Sequence, residues 1–181
     1  FPQQVETLAR RALKRPIEVT VGGRSVVNKD IEQMVEVRPQ EERFFRLLEL
    51  LGQWYERGKV LVFVQSQKKC DSLFSDLMKA GYPCLSLHGG HDQSDRQGTI
   101  NDFKGSVCGL MVATSVAARG LDVKDLRLVV NYDPPNHHED YIHRVGRTGR
   151  AGNKGTAVTF IEYGEEKFAP DIVKALIESD V

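Results

Sequence analysis

Residues 59–64 read KVLVFV, an apolar run with no polar alternation. A strand with one wet face alternates apolar and polar side chains. A strand that is apolar at successive positions needs cover on both faces, and that cover comes from helices flanking a parallel sheet. The run recurs along the chain as CLSL (84–87), GLMVA (109–113), LRLVVNY (126–132) and TAVTFI (156–161). Between these runs lie segments of helical period. Cys70, Leu73, Phe74, Leu77 and Met78 mark one, closed by Gly81. Others are expected over 92–103, starting at Asp92, over 137–145 and over 164–178. Upstream, Phe44, Leu47, Leu48, Leu51, Trp54 and Tyr55 form one stripe of a helix over Glu41–Arg57, stopped by Gly58. Trp54 and the Phe44/Phe45 pair read as core. Residues 30–37 alternate weakly, as a further strand. A helix is expected over 3–14, ended by Pro16, then a short strand at IEVTV (17–21) broken by Gly22-Gly23. Strands alternating with helices predict an α/β fold: a predominantly parallel sheet with helices on both faces.

Charge narrows the function. Lys+Arg and Asp+Glu are both 25, so the net charge is zero. A bulk electrostatic grip on nucleic acid is not indicated, and any polyanion site is a local patch. The three cysteines, Cys70, Cys84 and Cys108, form no CxxC pair and point to reduced thiols. No apolar run approaches the ~18 residues of a membrane span, and no signal-peptide pattern opens the chain. Phe1 is not Met, so a cut from a longer chain is expected.

In open parallel sheets, sites gather at the carboxyl ends of the strands. The segments expected there are SQKK (66–69), HGGHDQSDR (88–96), TSVAARGLD (114–122) and DPPNHH (133–138), which would form one continuous ledge. In HGGHDQSDR, two glycines admit close backbone approach, and Gln93 and Arg96 share a helical face. That set suits a phosphate at a helix N-terminus, and it also reads as a turn before a helix with solvated charges. In TSVAARGLD, the Thr114 hydroxyl and free amides suit phosphate oxygens and Asp122 suits a ribose; a tight turn with an Asp cap fits too. HRVGRTGR (143–150) is more telling. From Arg144 to Lys154 there are four positive charges and no carboxylate. Clustered arginines repel unless an anion completes them, and guanidinium forks match phosphate oxygens. GNKGT (152–156) is not a phosphate loop of the GxxxxGK[ST] type. His137, His138 and His143 do not match zinc spacing, so no metal site is expected. No nucleophile elbow is present.

Taken in order, these stretches resemble the second RecA-like domain of DEAD-box RNA helicases. VFVQS (62–66) resembles motif IV, HGG followed by Gln93-Ser-Asp-Arg96 the Q-x-x-R element, ATSVAARGLD (113–122) motif V, NYDPP (131–135) the next short motif, and HRVGRTGR motif VI. The resemblance implies a RecA-like domain over 31–181, an interdomain linker over 16–30 and the last helix of a preceding RecA-like domain over 1–15. It implies half of an ATP-dependent RNA helicase. Arg147 and Arg150, with His143, would act on ATP, whose Mg2+ and phosphate loop belong mainly to a missing N-terminal domain. Gly120 and Asp122 would meet the nucleotide. Ser66, Gly89, Gly90, Gln93, Arg96 and Thr114 would hold the backbone of single-stranded or duplex RNA, and Arg119 and His143 would couple the two sites. Alone, the piece is expected to be inactive. The wording of motif V and of VGGRSVVNKDIEQ is most similar to the spliceosomal, Prp-five-type branch. That implies a nuclear protein, otherwise a cytoplasmic one, with a branch-site-recognising ribonucleoprotein as partner and no membrane. A non-catalytic binding module of the same fold and a DNA translocase of the same superfamily stay open. One departure stands out: motif V usually has Asp after its Thr, and here the residue is Ser115.

Overall fold

The computed structural model describes residues 3–14, 17, 26–150 and 152–180. The strand expected at 17–21, and most of the expected linker, lie outside the described residues. The elements are α1 (Gln3–Ala12), β1 (Ile31–Val37), α2 (Gln40–Trp54), β2 (Lys59–Val64), α3 (Gln67–Lys79), β3 (Leu85–Leu87), α4 (Gln93–Lys104), β4 (Leu110–Thr114), β5 (Leu126–Asn131), α5 (His138–Val145), β6 (Gly155–Ile161) and α6 (Ala169–Glu178). The six strands form one sheet in the order β1-β6-β5-β2-β4-β3, and every neighbouring pair is parallel.

The period of two explains why KVLVFV is apolar throughout. Leu61 and Phe63 face a cluster containing Phe103 of α4, Tyr141, Ile142 and Val145 of α5, and Ile172 of α6. Val60, Val62 and Val64 face the opposite cluster, with Leu47, Leu50 and Leu51 of α2 and Cys70, Leu73 and Leu77 of α3. Each alternate side chain therefore enters a different core. Lys59 opens the strand and is buried; its ammonium donates to the carbonyls of Lys104 and Lys124 at 3.2 and 3.3 Å, which answers its burial.

Some boundaries differ from the sequence expectation. α2 ends at Trp54, before Gly58, and β3 begins after Cys84. The last helical segment starts with a 3-10 turn (Glu166–Phe168) before α6. Phe45 is a correction: it is 70% exposed rather than core, whereas Phe44 packs against the cluster. Consecutive helical positions lie about 100° apart, so the two rings cannot share one buried stripe. Leu8 of α1 and Leu13 just past its end are exposed. No described helix is long and apolar enough to cross a membrane.

Candidate functional site

The strand order places β2, β4 and β3 side by side. Val64 pairs with Thr114 and Leu87 with Ala113. Ser66, Thr114 and Gly89-Gly90 therefore emerge next to one another at the carboxyl edge. Ser66 caps α3, its Oγ accepting from the Lys69 amide at 3.2 Å, and Asp92 caps α4 by accepting from the Asp95 amide at 2.8 Å. His88 braces the double-glycine turn. Its Nδ1 accepts from the Gly90 amide at 3.1 Å, which leaves the ring proton on Nε2, 2.9 Å from Asp71 Oδ1. The His91 ring stacks on it at 3.9 Å. Both His88 nitrogens are engaged by the protein, so the Asp71–His88 pair braces the loop. Gln93 is exposed, while Arg96 is half-buried with its Nε lacking a hydrogen-bond partner. This edge is made of amides, hydroxyls and capped helices.

The arginine turn lies elsewhere. Its anchors are the amino ends of the strands: Thr148 Oγ1 donates to the Leu126 carbonyl at the start of β5, the Gly149 carbonyl accepts from Asn28 Nδ2 at 2.8 Å, and the Gly155 amide at the start of β6 donates to Asp30 at 3.0 Å. Of the ledge expected from the sequence, Ser66, Gly89-Gly90, Thr114 and Asp133 stay together at the carboxyl edge, and only the end of TSVAARGLD leaves it. The segment after β4 runs from one edge to the other, taking Asp122 away from Thr114; the Lys59 amide bonds Asp125 O at 2.9 Å, at the amino end of β2. Gly149 is required in this turn. Its φ is +62°, and a Cβ there would fall 2.2 Å from Ile31 Cγ1.

A cavity of about 340 Å³ opens at this amino edge, lined by Asp122, Arg127, Arg147, Thr148, Arg150 and their neighbours. Arg147 donates to the carbonyls of His143 and Leu121 at 2.9 and 3.0 Å and has no carboxylate partner among the described residues. Partial burial, then the neighbouring Arg150 charge, lowers its pKa. Arg150 donates to Gly146 O at 2.7 Å and to Asp122 Oδ1 at 2.9 Å. The run without a carboxylate thus finds one from outside: the Arg150–Asp122 pair is exposed on the aspartate side, at 80%, and weak enough to exchange. Gly120, with φ +71°, is exposed two residues before Asp122.

Arg144 corrects the sequence picture most. It is not the first of three outward arginines but 2% exposed. Its Nε donates to Ser115 Oγ at 2.7 Å, its two terminal nitrogens to Asp133 O and Asp140 Oδ2, both at 2.9 Å, and its guanidinium lies 5.3 Å from the Phe63 ring centroid. Burial lowers its pKa against the pull of Asp140. Arg119 and His143 are exposed and meet Arg144, Ser115 and Asp140 around a cavity of about 20 Å³. The Asp133 carboxylate, buried below the NYDPP segment, accepts from the Gln65 amide and the Lys69 ammonium at 2.9 and 2.6 Å and lies 3.7 Å from the fully buried Arg43. Sequence reading missed Arg43 and Asp140. Only Asp140 had a local signal, its position four residues before Arg144 on one helix.

Residues 42–152 match the family described as the helicase conserved C-terminal domain. Over 176 residues, 97% of this chain, it is 72% identical to DEAD-box ATP-dependent RNA helicase 42 of Oryza sativa subsp. japonica and 62% identical to probable ATP-dependent RNA helicase DDX46 of Homo sapiens. The chain spans 17% of the length of each of these relatives. Among solved structures, S. cerevisiae Dbp5 bound to RNA and ADP BeF3 superposes with a TM-score of 0.84 at 29% identity, over 97% of this chain and 46% of that one. E. coli DEAD-box protein SrmB, bound to regulator of ribonuclease activity A, gives a TM-score of 0.72 at 30% identity, over 82% and 85% of the two chains. With a six-stranded parallel sheet, a capped carboxyl edge and an arginine turn at the opposite edge, the chain belongs to the helicase conserved C-terminal domain family, as a RecA-like domain of the DEAD-box RNA helicases.

Proposed function

We propose that this chain is the C-terminal half of an ATP-dependent RNA helicase, working on nucleotide presented by an N-terminal RecA-like domain of the same protein. The observation that carries the reading is Arg147. It is a half-buried cation fixed by two backbone carbonyls on the rim of an open cavity, with no carboxylate partner among the described residues. A guanidinium held this way is preorganised for phosphate oxygens and needs no rearrangement to meet them. Arg150 joins it by leaving Asp122, and the freed Asp122 carboxylate, beside Gly120, accepts from a ribose hydroxyl. The residues lining the cavity fit the ribose and phosphates of ATP. Arginines repel a cation, so the Mg2+ that accompanies ATP is assigned to the other half, where it would neutralise phosphate charge.

At the carboxyl edge, the amides of Gly89-Gly90, the hydroxyls of Ser66 and Thr114, and Gln93 and Arg96 hold the sugar–phosphate backbone of single-stranded or duplex RNA, which positions a strand without reading its bases. His143 and Arg119 lie between the edges, around Arg144, and couple them. Closure of the two halves on ATP and RNA then gates strand release. We assign residues 1–15 to the last helix of the preceding domain and 16–30 to the linker. We assign the chain a nuclear role in pre-mRNA splicing, with a branch-site ribonucleoprotein as partner, on the resemblance of motif V and of VGGRSVVNKDIEQ to the Prp-five-type branch.

The test is ATP turnover of the full-length protein with and without single-stranded RNA, for the native chain and Arg147→Ala. RNA-stimulated turnover that collapses in the variant is expected. An intact protein that binds RNA without turnover would sink the helicase reading in favour of a non-catalytic binding module.

A further inference from the structure

Arg144 touches more strand ends than any functional residue described above. It reaches Phe63 on β2, Ser115 just past β4, and the carbonyl of Asp133 just past β5, all from α5, whose next residues form the arginine turn. A guanidinium this buried needs a countercharge, because removing the partner of a buried charge leaves its desolvation uncompensated. Three candidates surround it. Ser115 is neutral and supplies only an acceptor oxygen. Asp133 turns its carboxylate toward Gln65, Lys69 and Arg43, and gives Arg144 its carbonyl. Asp140 alone brings a carboxylate to hydrogen-bonding distance, Oδ2 to the guanidinium at 2.9 Å, one helical turn before it. Asp140 is held in its turn: its amide donates to His137 Nδ1 at 3.2 Å, and its carboxylate accepts from the Asn136 amide at 3.3 Å.

Building on the function proposed above, we infer that Asp140 is a positioning residue. Its carboxylate, not the residue after Thr114, holds Arg144, and through Arg144 it sets the Thr114–Ser115 edge against the arginine turn. A single acid at either of two places satisfies the guanidinium: from α5, as here, or from position 115, whose side chain borders the same small cavity and already meets the guanidinium at 2.7 Å.

The experiment is a cycle in the full-length protein: Asp140→Asn, Ser115→Asp, and both together. Two readouts are taken: the thermal midpoint, and the stimulation of ATP turnover by single-stranded RNA, the latter well below every midpoint. Asp140→Asn should lower the midpoint by several degrees and cut RNA stimulation about tenfold, the loss expected for one charge-assisted bond, with the KM for ATP unchanged. Ser115→Asp added to it should restore most of both. Asp140→Asn within twofold of native stimulation overturns the positioning role, as does a double variant that regains its midpoint without its stimulation. If the native protein shows no RNA-stimulated turnover, the helicase reading fails. The melting cycle then still decides the charge assignment: recovery in the double variant upholds it and no recovery overturns it.

Discussion

The two edges of the sheet are built by different means. At the carboxyl edge, the groups offered to a ligand are amides and hydroxyls set by helix caps and by the His88 brace on Gly90. At the amino edge they are guanidinium groups held by carbonyls, with one exposed ion pair, Arg150–Asp122. The first edge is fixed by the backbone; the second rests on guanidinium contacts, one of them an exposed ion pair. On the function proposed above, a surface that holds any strand of one polymer gains from mostly neutral, fixed donors, with Arg96 as the cation among them. A surface that must recognise a changing phosphate gains from charges that can be released. On the function proposed above, the neutral net charge fits this division, because bulk attraction serves neither task.

Five changes break or sharpen the contrast. The largest is Arg147→Ala, which should lower turnover on the order of 10³-fold while leaving RNA affinity unaltered, read by kinetics and by fluorescence anisotropy. Equal loss of RNA binding would merge the two edges into one site. Next is Gly149→Ala, which places a Cβ against Ile31 at positive φ. It should cost about 3 kcal/mol in urea unfolding, and a neutral result would mean that the turn relaxes freely.

Third, burial under the carboxyl edge raises the Cys70 thiol to about 11 from 9.0. Because the folded value lies above the unfolded one, the contribution is complete below pH 9. It is lost as pH rises from there toward 11, with a slope of about 1.4 kcal/mol per pH unit. Urea unfolding across that range checks it, and Cys70→Ala should flatten the slope. Fourth, Gly90→Ala would bring a Cβ to 3.0 Å from the His88 ring and Gln67. RNA affinity should fall about tenfold, as for one lost bond to a charged group, with ATP affinity unchanged. Smallest is Asp122→Asn, which should change unfolding free energy by less than about 1 kcal/mol. A larger loss would mean that Arg150 is locked to Asp122 rather than free to leave it.

Local physics made part of this legible. Apolar runs such as KVLVFV and their helical spacers are read from neighbours along the chain, as are the helix start at Asp92 and the stop at Gly81. The family resemblance rests on motifs of this local kind. Other features depend on which strands become neighbours. The order β1-β6-β5-β2-β4-β3 decided that Ser66, Thr114 and Gly89 share one edge while Arg147 and Arg150 sit at the other. Tertiary packing also decided that Arg144, identical in kind to Arg147 and Arg150, is buried. Its α5 position faces Phe63 and the strand ends, whereas Arg147 and Arg150 lie beyond the helix end at Val145. Periodicity fixes the face of an element, because that is set by residues three or four apart. The end of the sheet a loop reaches, and the distant acids Asp133 and Glu165 that meet the buried Arg43, depend on contacts between residues tens of positions apart, which no local pattern encodes.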